Sequence, residues 1–379
     1  MGLGSDLKTL RRAFHQDPEL GFDEVRTKAK IANLLRNCGI EVHEGVGVVG
    51  ILRSGSGNRA IGLRADMDAL PIQEASRHTY VSQNQGVMHA CGHDGHMTML
   101  LAAAEALAAE PDFSGTIVFL FQPNEEHGLG AKAMLEEGLL EQFPIDEVYG
   151  IHNLPGAPLG QMSTRKGLIC ASESLFEIQI SGQGGHASMP HTGRDALTIG
   201  AEMVSALQTI VSRKLAPGAG AVVSVTEFLT DGQRNVLPGQ ATLKGDVRAQ
   251  NPRDRDEVEK IMRQMASGLA AAHGVNATVS FQTEFVETIN APDPTDAAIR
   301  AATDIGLDVL PDREPMTFSE DFAHFANAVP GCFVLMGNGE SGPYAQPLHS
   351  NDYDFNDALL PYGRDFWVSL VKNRLPPPA

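Results

Sequence analysis

Apolar runs alternate with segments of helical periodicity over the first 160 residues. The predicted strands are 60–65, 115–121 and 147–151, and the predicted helices are 97–109 and 128–141. Residues 5–38 also have helical periodicity, with a turn-rich break at 15–21. Strands that are apolar throughout are buried on both faces, and their alternation with helices predicts an α/β sheet covered by helices.

The pattern changes near residue 173, where strands begin to alternate polar and apolar positions. The predicted order is strand 174–183, helix 195–215, strands 221–230 and 240–250, helix 254–273 and strand 277–286. This βαββαβ order is that of a ferredoxin-like unit. We therefore predict an α/β/α sandwich domain, 1–172 and 288–379, with a satellite domain inserted at 173–287.

Composition and charge narrow the class of protein. A chain of 379 residues with 42% hydrophobic and 20% charged residues is typical of globular proteins with two domains. The net charge of −18 disfavours nucleic acid and anionic membranes as partners. The N-terminus lacks the pattern of a secretory signal, and the four cysteines do not form a disulfide framework. We expect a cytoplasmic protein.

A glycine-rich stretch at 45–50 matches the dinucleotide-binding pattern GxGxxG. That fingerprint requires a helix after its glycines. Here Ile51-Leu52-Arg53 and the following Ser-Gly pairs indicate a strand and a hairpin turn. We therefore interpret 45–50 as a β turn without a nucleotide.

Residues able to bind metal or move protons follow the predicted strands. Asp66 and Asp68 follow the first, Glu125 and Glu126 the second, and His152 the third. The carboxyl ends of strands are where functional groups collect in α/β sheets.

The stretch 88–96 adds Cys91 and His93, whose side chains share one face if the backbone is extended. Thiolate and imidazole together favour zinc, cobalt or manganese over calcium.

Each of these features alone has a structural interpretation. The stretch 88–96 is also consistent with a loop that holds a buried cysteine and solvated histidines. Glu125 and Glu126 are also consistent with two solvated carboxylates at a helix N-terminus. His152 and His349, considered singly, are ordinary polar residues. Only the combination indicates metal-assisted hydrolysis, which needs a Lewis acid, an activated water and a general base.

The sequence resembles the M20 metallopeptidase and amidohydrolase family, in particular its hippurate hydrolases, N-acyl-amino-acid amidohydrolases and indole-acetyl-amino-acid hydrolases. The matching stretches are 15–24, 63–74, 88–104, 121–138, 152–156, 184–191, 316–325 and 347–357. They cover almost the whole chain in the order expected for the family. The resemblance implies a two-metal amide hydrolase whose satellite domain serves dimerisation or higher homo-oligomerisation.

The resemblance also implies roles for individual residues. The implied ligands of two divalent cations (Mn²⁺, Zn²⁺ or Co²⁺) are Cys91, His93, Glu126, His152 and His349. The implied catalytic groups are Glu125 as general base, Asp68 as the carboxylate that orients the site and His186 as an oxyanion donor. Asn235 and Arg248 match groups that contact the substrate carboxylate.

The implied reaction is hydrolysis of the N-acyl bond of a small N-acyl amino acid. The alternatives are a dipeptidase or carboxypeptidase of the same family and a non-catalytic metal-binding relative.

The chain departs from the family pattern at two positions, and it contains further histidines and an aspartate to which we assign no catalytic role. Relatives have alanine and glycine where this chain has Asn124 and His127, so His127 either meets a polar substrate or tunes the base, or is a tolerated helix-start residue. The flanking residues that we assign to packing or to outer positions are His89, Asp94 and His96. The histidines that we expect to be at the surface or structural are His43, His78, His273 and His324.

Overall fold

The computed structural model describes residues 6–377, which divide into two compact units. The first unit comprises residues up to 169, 288–314 and 320 onward, and the second comprises 170–287 and 315–319. The five residues 315–319 thus belong to the second unit, although the sequence places them in the catalytic part.

The helices are α1 (Leu7–His15), α2 (Val25–Asn37), α3 (His93–Ala109), α4 (Gly130–Glu136), α5 (Leu139–Gln142), α6 (Ala196–Leu207), α7 (Pro252–Ala272), α8 (Pro292–Asp304), α9 (Ala323–Ala328) and α10 (Leu360–Arg374). The strands are β1 (Glu41–Glu44), β2 (Val48–Ser54), β3 (Ala60–Asp66), β4 (Gly115–Gln122), β5 (Glu147–Pro155), β6 (Met162–Ser163), β7 (Gly167–Cys170), β8 (Ser172–Ser181), β9 (Gly185–His186), β10 (Ala221–Thr230), β11 (Val236–Leu237), β12 (Gln240–Ala249), β13 (Asn276–Phe285), β14 (Thr288–Asn290), β15 (Val309–Leu310) and β16 (Gly331–Gly339).

A sheet with the order β1-β2-β4-β3-β5-β16-β6-β15 forms the centre of the first unit. β3 runs parallel to β4 and β5, and β16 runs parallel to β5. The carboxyl ends of β4, β3 and β5 therefore meet at one edge of the sheet, as the sequence predicts.

Helices bury this sheet. Every residue of β3 is buried, which requires cover on both of its faces. Helix α3 contacts β3, β4 and β5 and packs against α10, while α4 and α9 contact each other and strands of the same sheet. Leu63, Leu101, Phe119, Tyr149 and Trp367 are among the core residues. The predicted α/β architecture is confirmed.

Two local predictions are resolved in this unit. Residues 45–47 of the glycine-rich stretch join β1 to β2 in an antiparallel hairpin with Glu44 opposite Val48. The rest of the stretch belongs to strand β2, which excludes the dinucleotide fingerprint. The single helix predicted over 128–141 is wrong, because Gly138, with φ +90°, separates α4 from α5.

The second unit has the order β8-α6-β10-β12-α7-β13 and a sheet of order β10-β12-β8-β13 in which all neighbours are antiparallel. Alternate residues of β8 are buried, as expected when helices cover one face of a sheet. The predicted ferredoxin-like insert is confirmed. The predicted helix 195–215 is interrupted, since α6 ends at Leu207 and a π turn follows at Ile210–Lys214.

None of the helices within residues 6–377 combines the length and apolar character needed to cross a membrane.

Candidate metal centre and active site

The turn that joins Cys91 to His93 depends on glycine. Gly92 has φ +97°, and a Cβ at this position would lie 2.1 Å from Asn153 Oδ1. Helix α3 begins at His93, so Cys91 lies just before the helix and His93 in its first turn. The backbone is not extended here, so a left-handed turn, and not a shared strand face, sets the directions of the two side chains.

Cys91, His93 and His152 form one convergent group. Their potential ligand atoms lie within 4.8 Å of one another, and Cys91 Sγ is 3.3 Å from His152 Nε2. His93 Nδ1 lies 2.9 Å from the carbonyl oxygen of Asp68, and His152 Nδ1 lies 2.7 Å from that of Asn153. Because a carbonyl only accepts, each Nδ1 carries a proton, which leaves Nε2 as the ring nitrogen that would bind a metal.

A second group contains Cys91, Glu126 and His349, whose ligand atoms also lie within 4.8 Å of one another. Glu126 Oε2 is 3.3 Å from His349 Nε2. The His349 N–H donates to the Ala90 carbonyl at 2.8 Å, which ties this distant loop to the cysteine turn. The thiol of Cys91 is common to both groups.

Unpaired polar atoms show that these residues fit a metal. His93 Nε2 and Glu126 Oε1 are buried, lie 3.9 Å apart and have no hydrogen-bonding partner among residues 6–377. Leaving such atoms unpaired costs free energy. A thiol, imidazoles and a carboxylate form a donor set typical of zinc and neighbouring transition metals.

The charges of the site favour a cation in the same place. Burial, followed by the carboxylates of Glu126 and Glu125, raises the pKa of the Cys91 thiol well above its ordinary value. Burial opposes protonation of His93, but Asp66 and Asp68 outweigh it and raise its pKa to about 10. The cluster thus has excess negative charge, and a bound cation would neutralise it and allow the thiol to ionise.

Glu125 lies beside this cluster and away from solvent. It is 5% exposed, and one of its oxygens belongs to a convergent group with His93 and Glu126. Burial, then the carboxylates of Glu320 and Glu126, raise the pKa of Glu125 well above its ordinary value. A buried carboxyl group with a high proton affinity is suited to accept and return a proton.

A buried arginine compensates the acidic groups behind Glu125. Arg64 donates to Asp66 at 2.6 Å, to Glu320 at 2.8 Å and to Asp321 at 3.1 Å. Its Nε donates to Gln122 Oε1 at 2.7 Å, and Gln122 in turn donates to Asp321 at 2.6 Å. Arg64, Glu320 and Asp321 lie in stretches that match the family, but the sequence did not indicate their roles. The available signal was an arginine inside an otherwise apolar predicted strand.

Asp68 links the parts of the site. Its carbonyl accepts from His93, as above, and its Oδ2 accepts from the backbone N–H of Glu126 at 3.0 Å. Its Oδ1 lies 3.3 Å from His93 Nδ1. Asp68 therefore holds both the imidazole and the glutamate turn in place.

His96 also lies in this region, within 4.8 Å of potential ligand atoms of Asp66 and His93. Both of its ring nitrogens are engaged: Nδ1 lies 2.6 Å from Asp66 Oδ1, and Nε2 accepts from the backbone N–H of Asn153 at 3.0 Å. This geometry is consistent with the outer role predicted from the sequence.

Asp94 and His89 are buried behind the cysteine turn. Asp94 lies 2.8 Å from His15 Nδ1 and accepts from Arg11 at 3.3 Å. Neither ring nitrogen of His89 has a hydrogen-bonding partner among the described residues.

His127 is exposed in the turn that follows Glu126, and α4 begins only at Gly130. Its Nδ1 lies 2.6 Å from Asn124 Oδ1, so Nδ1 donates and Nε2 is free to accept. The two residues that depart from the family pattern therefore contact each other. The interpretation of His127 as a helix-start residue is wrong, because it precedes the helix.

The second unit contains the remaining predicted residues. His186 in β9 is opposite Val236 in β11, and the Asn235 carbonyl accepts from Ala187 N at 3.1 Å. His186 and Asn235 line one open cavity of about 600 Å³. Arg248, in β12, does not line this cavity.

The guanidinium of Arg248 is already paired within the second unit. It contacts Glu173 at 2.9 Å and Asp246 at 2.9 Å, and it donates to Ser319 Oγ at 2.9 Å. A substrate carboxylate would have to compete with these two carboxylates for the guanidinium.

The fold is an α/β domain with an inserted ferredoxin-like domain. Thiol, imidazole and carboxylate ligands lie together at the carboxyl ends of its strands. This combination is typical of metal-dependent hydrolases. Residues 62–373 match the model of peptidase family M20/M25/M40. The chain belongs to this family, and it is a hydrolase.

Curated relatives and solved structures are similar over nearly the whole chain. The hippurate hydrolase of Campylobacter jejuni is 37% identical over 98% of this chain and 97% of its own. Thermostable carboxypeptidase 2 of Saccharolobus solfataricus is 36% identical over 93% of this chain and 91% of its own. The crystal structure of the Bacillus subtilis YXEP protein, a dinuclear metal-binding M20 peptidase, has a TM-score of 0.85 at 31% identity over 97% of both chains.

Proposed function

We propose that the protein hydrolyses the N-acyl amide bond of N-acyl amino acids and releases a carboxylic acid and a free amino acid. The observation that supports this most strongly is the convergence of two ligand groups on Cys91 beside the buried Glu125. The similarity to a hippurate hydrolase supports the substrate class.

The residues that would hold two divalent cations are Cys91, His93, Glu126, His152 and His349. When bound, the cations would acidify a water and polarise the acyl carbonyl. Asp68 keeps His93 and Glu126 in the orientation that binding requires, through its carbonyl and carboxylate. The donor types fit Mn²⁺, Zn²⁺ and Co²⁺ alike.

Glu125 is the proposed general base and acid. It would take the proton of the attacking water and return it to the leaving amine. Its burial excludes competing solvent, and Arg64 behind it balances Glu320 and Asp321, whose charges would otherwise disfavour the ionised form of Glu125.

The proposed roles in the second unit depend on the family pattern. His186 would donate to the oxyanion, and Asn235 and Arg248 would contact the substrate carboxylate. Residues 173–287 would also form the contact of a homodimer or higher homo-oligomer in the cytoplasm. A monomeric mass in light scattering would count against this assembly.

The substitution Glu125→Gln tests the proposed base. We expect it to keep the metal content and to lower kcat by about 10²–10⁴-fold, since an amide cannot accept the proton. The matched control is Glu136→Gln, because Glu136 is exposed on α4 and pairs with the exposed Lys132 at 3.8 Å. Near-normal turnover of metal-loaded Glu125→Gln would remove Glu125 from this role.

A carboxypeptidase or dipeptidase is the second candidate, and similarity to the Saccharolobus carboxypeptidase favours it. The two substrates differ on the acyl side of the scissile bond, because the acyl group of a dipeptide carries a free cationic amine and that of a simple N-acyl amino acid does not. Faster release of amino acid from free dipeptides than from N-acetyl or N-benzoyl amino acids would favour this candidate.

A further inference from the structure

A second cluster of metal-ligating side chains lies in the first unit and shares no residue with the proposed dinuclear centre. It consists of His15, at the end of α1, and Glu74 and His78, in the segment between β3 and α3. We call it the His15 cluster. One potential ligand atom from each residue lies within 4.8 Å of the other two.

The spacing within the His15 cluster is that of ligands around a small cation. Glu74 Oε1 lies 3.3 Å from His15 Nε2 and 3.1 Å from His78 Nε2. Two ligands bound at about 2.0–2.1 Å in tetrahedral geometry are themselves about 3.3 Å apart. Two imidazoles and one carboxylate also form a common set of protein ligands for zinc, with a fourth position left for water.

The ring nitrogens of His78 are available to such an ion, whereas His15 Nε2 lies at hydrogen-bonding distance, 3.3 Å, from Glu74 Oε1, a contact that a bound metal would replace. Neither nitrogen of His78 has a hydrogen-bonding partner among residues 6–377, although its side chain is only 15% exposed. Its Nε2 nevertheless lies 3.1 Å from Glu74 Oε1, close enough for both to bind the same ion. His78 is held in place by stacking on Tyr80, with ring centroids 3.8 Å apart.

The surrounding groups orient the other two ligands. Asp94 Oδ2 lies 2.8 Å from His15 Nδ1, which directs His15 Nε2 toward the cluster. The second oxygen of Glu74 accepts from the backbone N–H of Ser82 at 2.6 Å. A carboxylate–histidine pair of this kind is the usual support of a histidine that binds metal.

A solvent-accessible cavity lined by charged side chains reaches the cluster. An open cavity of about 550 Å³ reaches His78, and its lining includes the carboxylates of Asp352 and Asp354 and the guanidinium of Arg77. The two carboxylates outnumber the one guanidinium in this lining, so the mouth of the cavity would attract a cation.

We propose that His15, Glu74 and His78 bind an additional divalent transition cation, such as Zn²⁺, which joins the end of α1 to the segment before α3. The proposal does not depend on the proposed function, because it concerns other residues and predicts a change in metal content. The competing explanation is a protonated His15 that bridges Asp94 and Glu74 with no metal.

The test counts bound zinc. Protein freed of metal with a chelator is dialysed against Zn²⁺, and zinc per subunit is measured by mass spectrometry for wild type, His78→Asn, Glu74→Gln and the control His43→Asn. His43 is a matched control, because its Nε2 lies 2.7 Å from Glu41 Oε1 in a histidine–carboxylate pair outside the cluster. Glu74→Gln serves as the second variant if His78→Asn does not fold.

We expect His78→Asn and Glu74→Gln each to lose one equivalent of zinc per subunit and His43→Asn to lose none. With Co²⁺ in place of zinc, the absorption of the cobalt–thiolate bond of Cys91 should stay unchanged in His78→Asn, which separates the additional site from the proposed dinuclear centre. Equal zinc content in wild type and in the folded cluster variants would overturn the proposal.

Discussion

The conformation of one glycine controls the approach of the ligand residues. Because Gly92 has φ +97° and a Cβ there would lie 2.1 Å from Asn153 Oδ1, Gly92→Ala should combine backbone strain with a steric clash. Strain of this kind alone costs about 1–3 kcal/mol. We expect a lower free energy of unfolding and less bound metal.

The control for this prediction is Gly86→Ala. Gly86 has φ +75°, but a Cβ there would meet no atom within 4 Å, so only the strain applies. Chemical unfolding and metal analysis of both variants provide the measurement. Equal effects in the two variants would show that the contact with Asn153 is unimportant.

A buried glutamate makes stability depend on pH. Burial, followed by the charge of Asp68, raises the pKa of Glu24 from its ordinary 4.5 to about 7. The folded protein therefore binds this proton more tightly than the unfolded chain. The resulting stabilisation is complete below about pH 4.5 and is lost as the pH rises through about 7.

Glu24→Gln removes this titration. A difference of that size corresponds to about 3 kcal/mol, so the variant should gain stability relative to wild type between pH 5 and pH 8. Urea unfolding of chelator-treated protein at both pH values measures the gain, with the exposed Glu110→Gln as control. A pH-independent difference between Glu24→Gln and wild type would contradict the prediction.

The residues of the candidate site could be identified from the sequence, whereas the backbone geometry that orients their side chains could not. The motifs identified Cys91, His93, Glu126, His152 and His349, and the structure brings them together in two groups. Their exact directions depend on contacts distant in sequence. The turn at Gly92, for example, is fixed by packing against Asn153 and Tyr353, which no local pattern reveals.

At the scale of elements, the parallel strands explain why scattered residues meet. β4, β3 and β5 are neighbours, so the groups that follow them lie at one edge of the sheet. Alternation of apolar runs and helical segments was sufficient to predict this. It was insufficient for breaks inside helices, such as the left-handed glycine Gly138 between α4 and α5 and the π turn after α6.

Arg64 joins β3 to the stretch that precedes α9, and its removal should destabilise the protein strongly. Arg64→Met would leave Asp66, Glu320 and Asp321 buried without their cation. Breaking a buried ion pair in this way typically costs about 3–5 kcal/mol. The free energy of unfolding in urea is the appropriate measurement.

The control is Arg53→Met on β2, because Arg53 is exposed and pairs with the exposed Glu41 at 2.8 Å. An exposed pair contributes at most about 1 kcal/mol. Similar losses in the two variants would show that the Arg64 network is not a special source of stability.

At the scale of the whole molecule, the insertion of one domain into another was visible in the sequence as a change of periodicity near residue 173. The assignment of 315–319 to the second unit was not visible, because these five residues follow a return to the first unit and contain no element of their own.

The strongly acidic composition affects how the whole molecule would bind an anionic substrate. With a net charge of −18, the protein must concentrate positive charge locally to bind an anionic substrate. Arg248 is largely neutralised by Glu173 and Asp246, so the bound cations would have to provide much of this charge.

The most direct test of the account measures free amino acid released from N-acetyl and N-benzoyl amino acids by protein that is metal-loaded, chelated, or chelated and reloaded. We predict rapid release by the loaded protein, loss on chelation and recovery on addition of Mn²⁺, Zn²⁺ or Co²⁺. Absence of release by fully loaded protein, or release that persists after the metal is removed, would contradict the account.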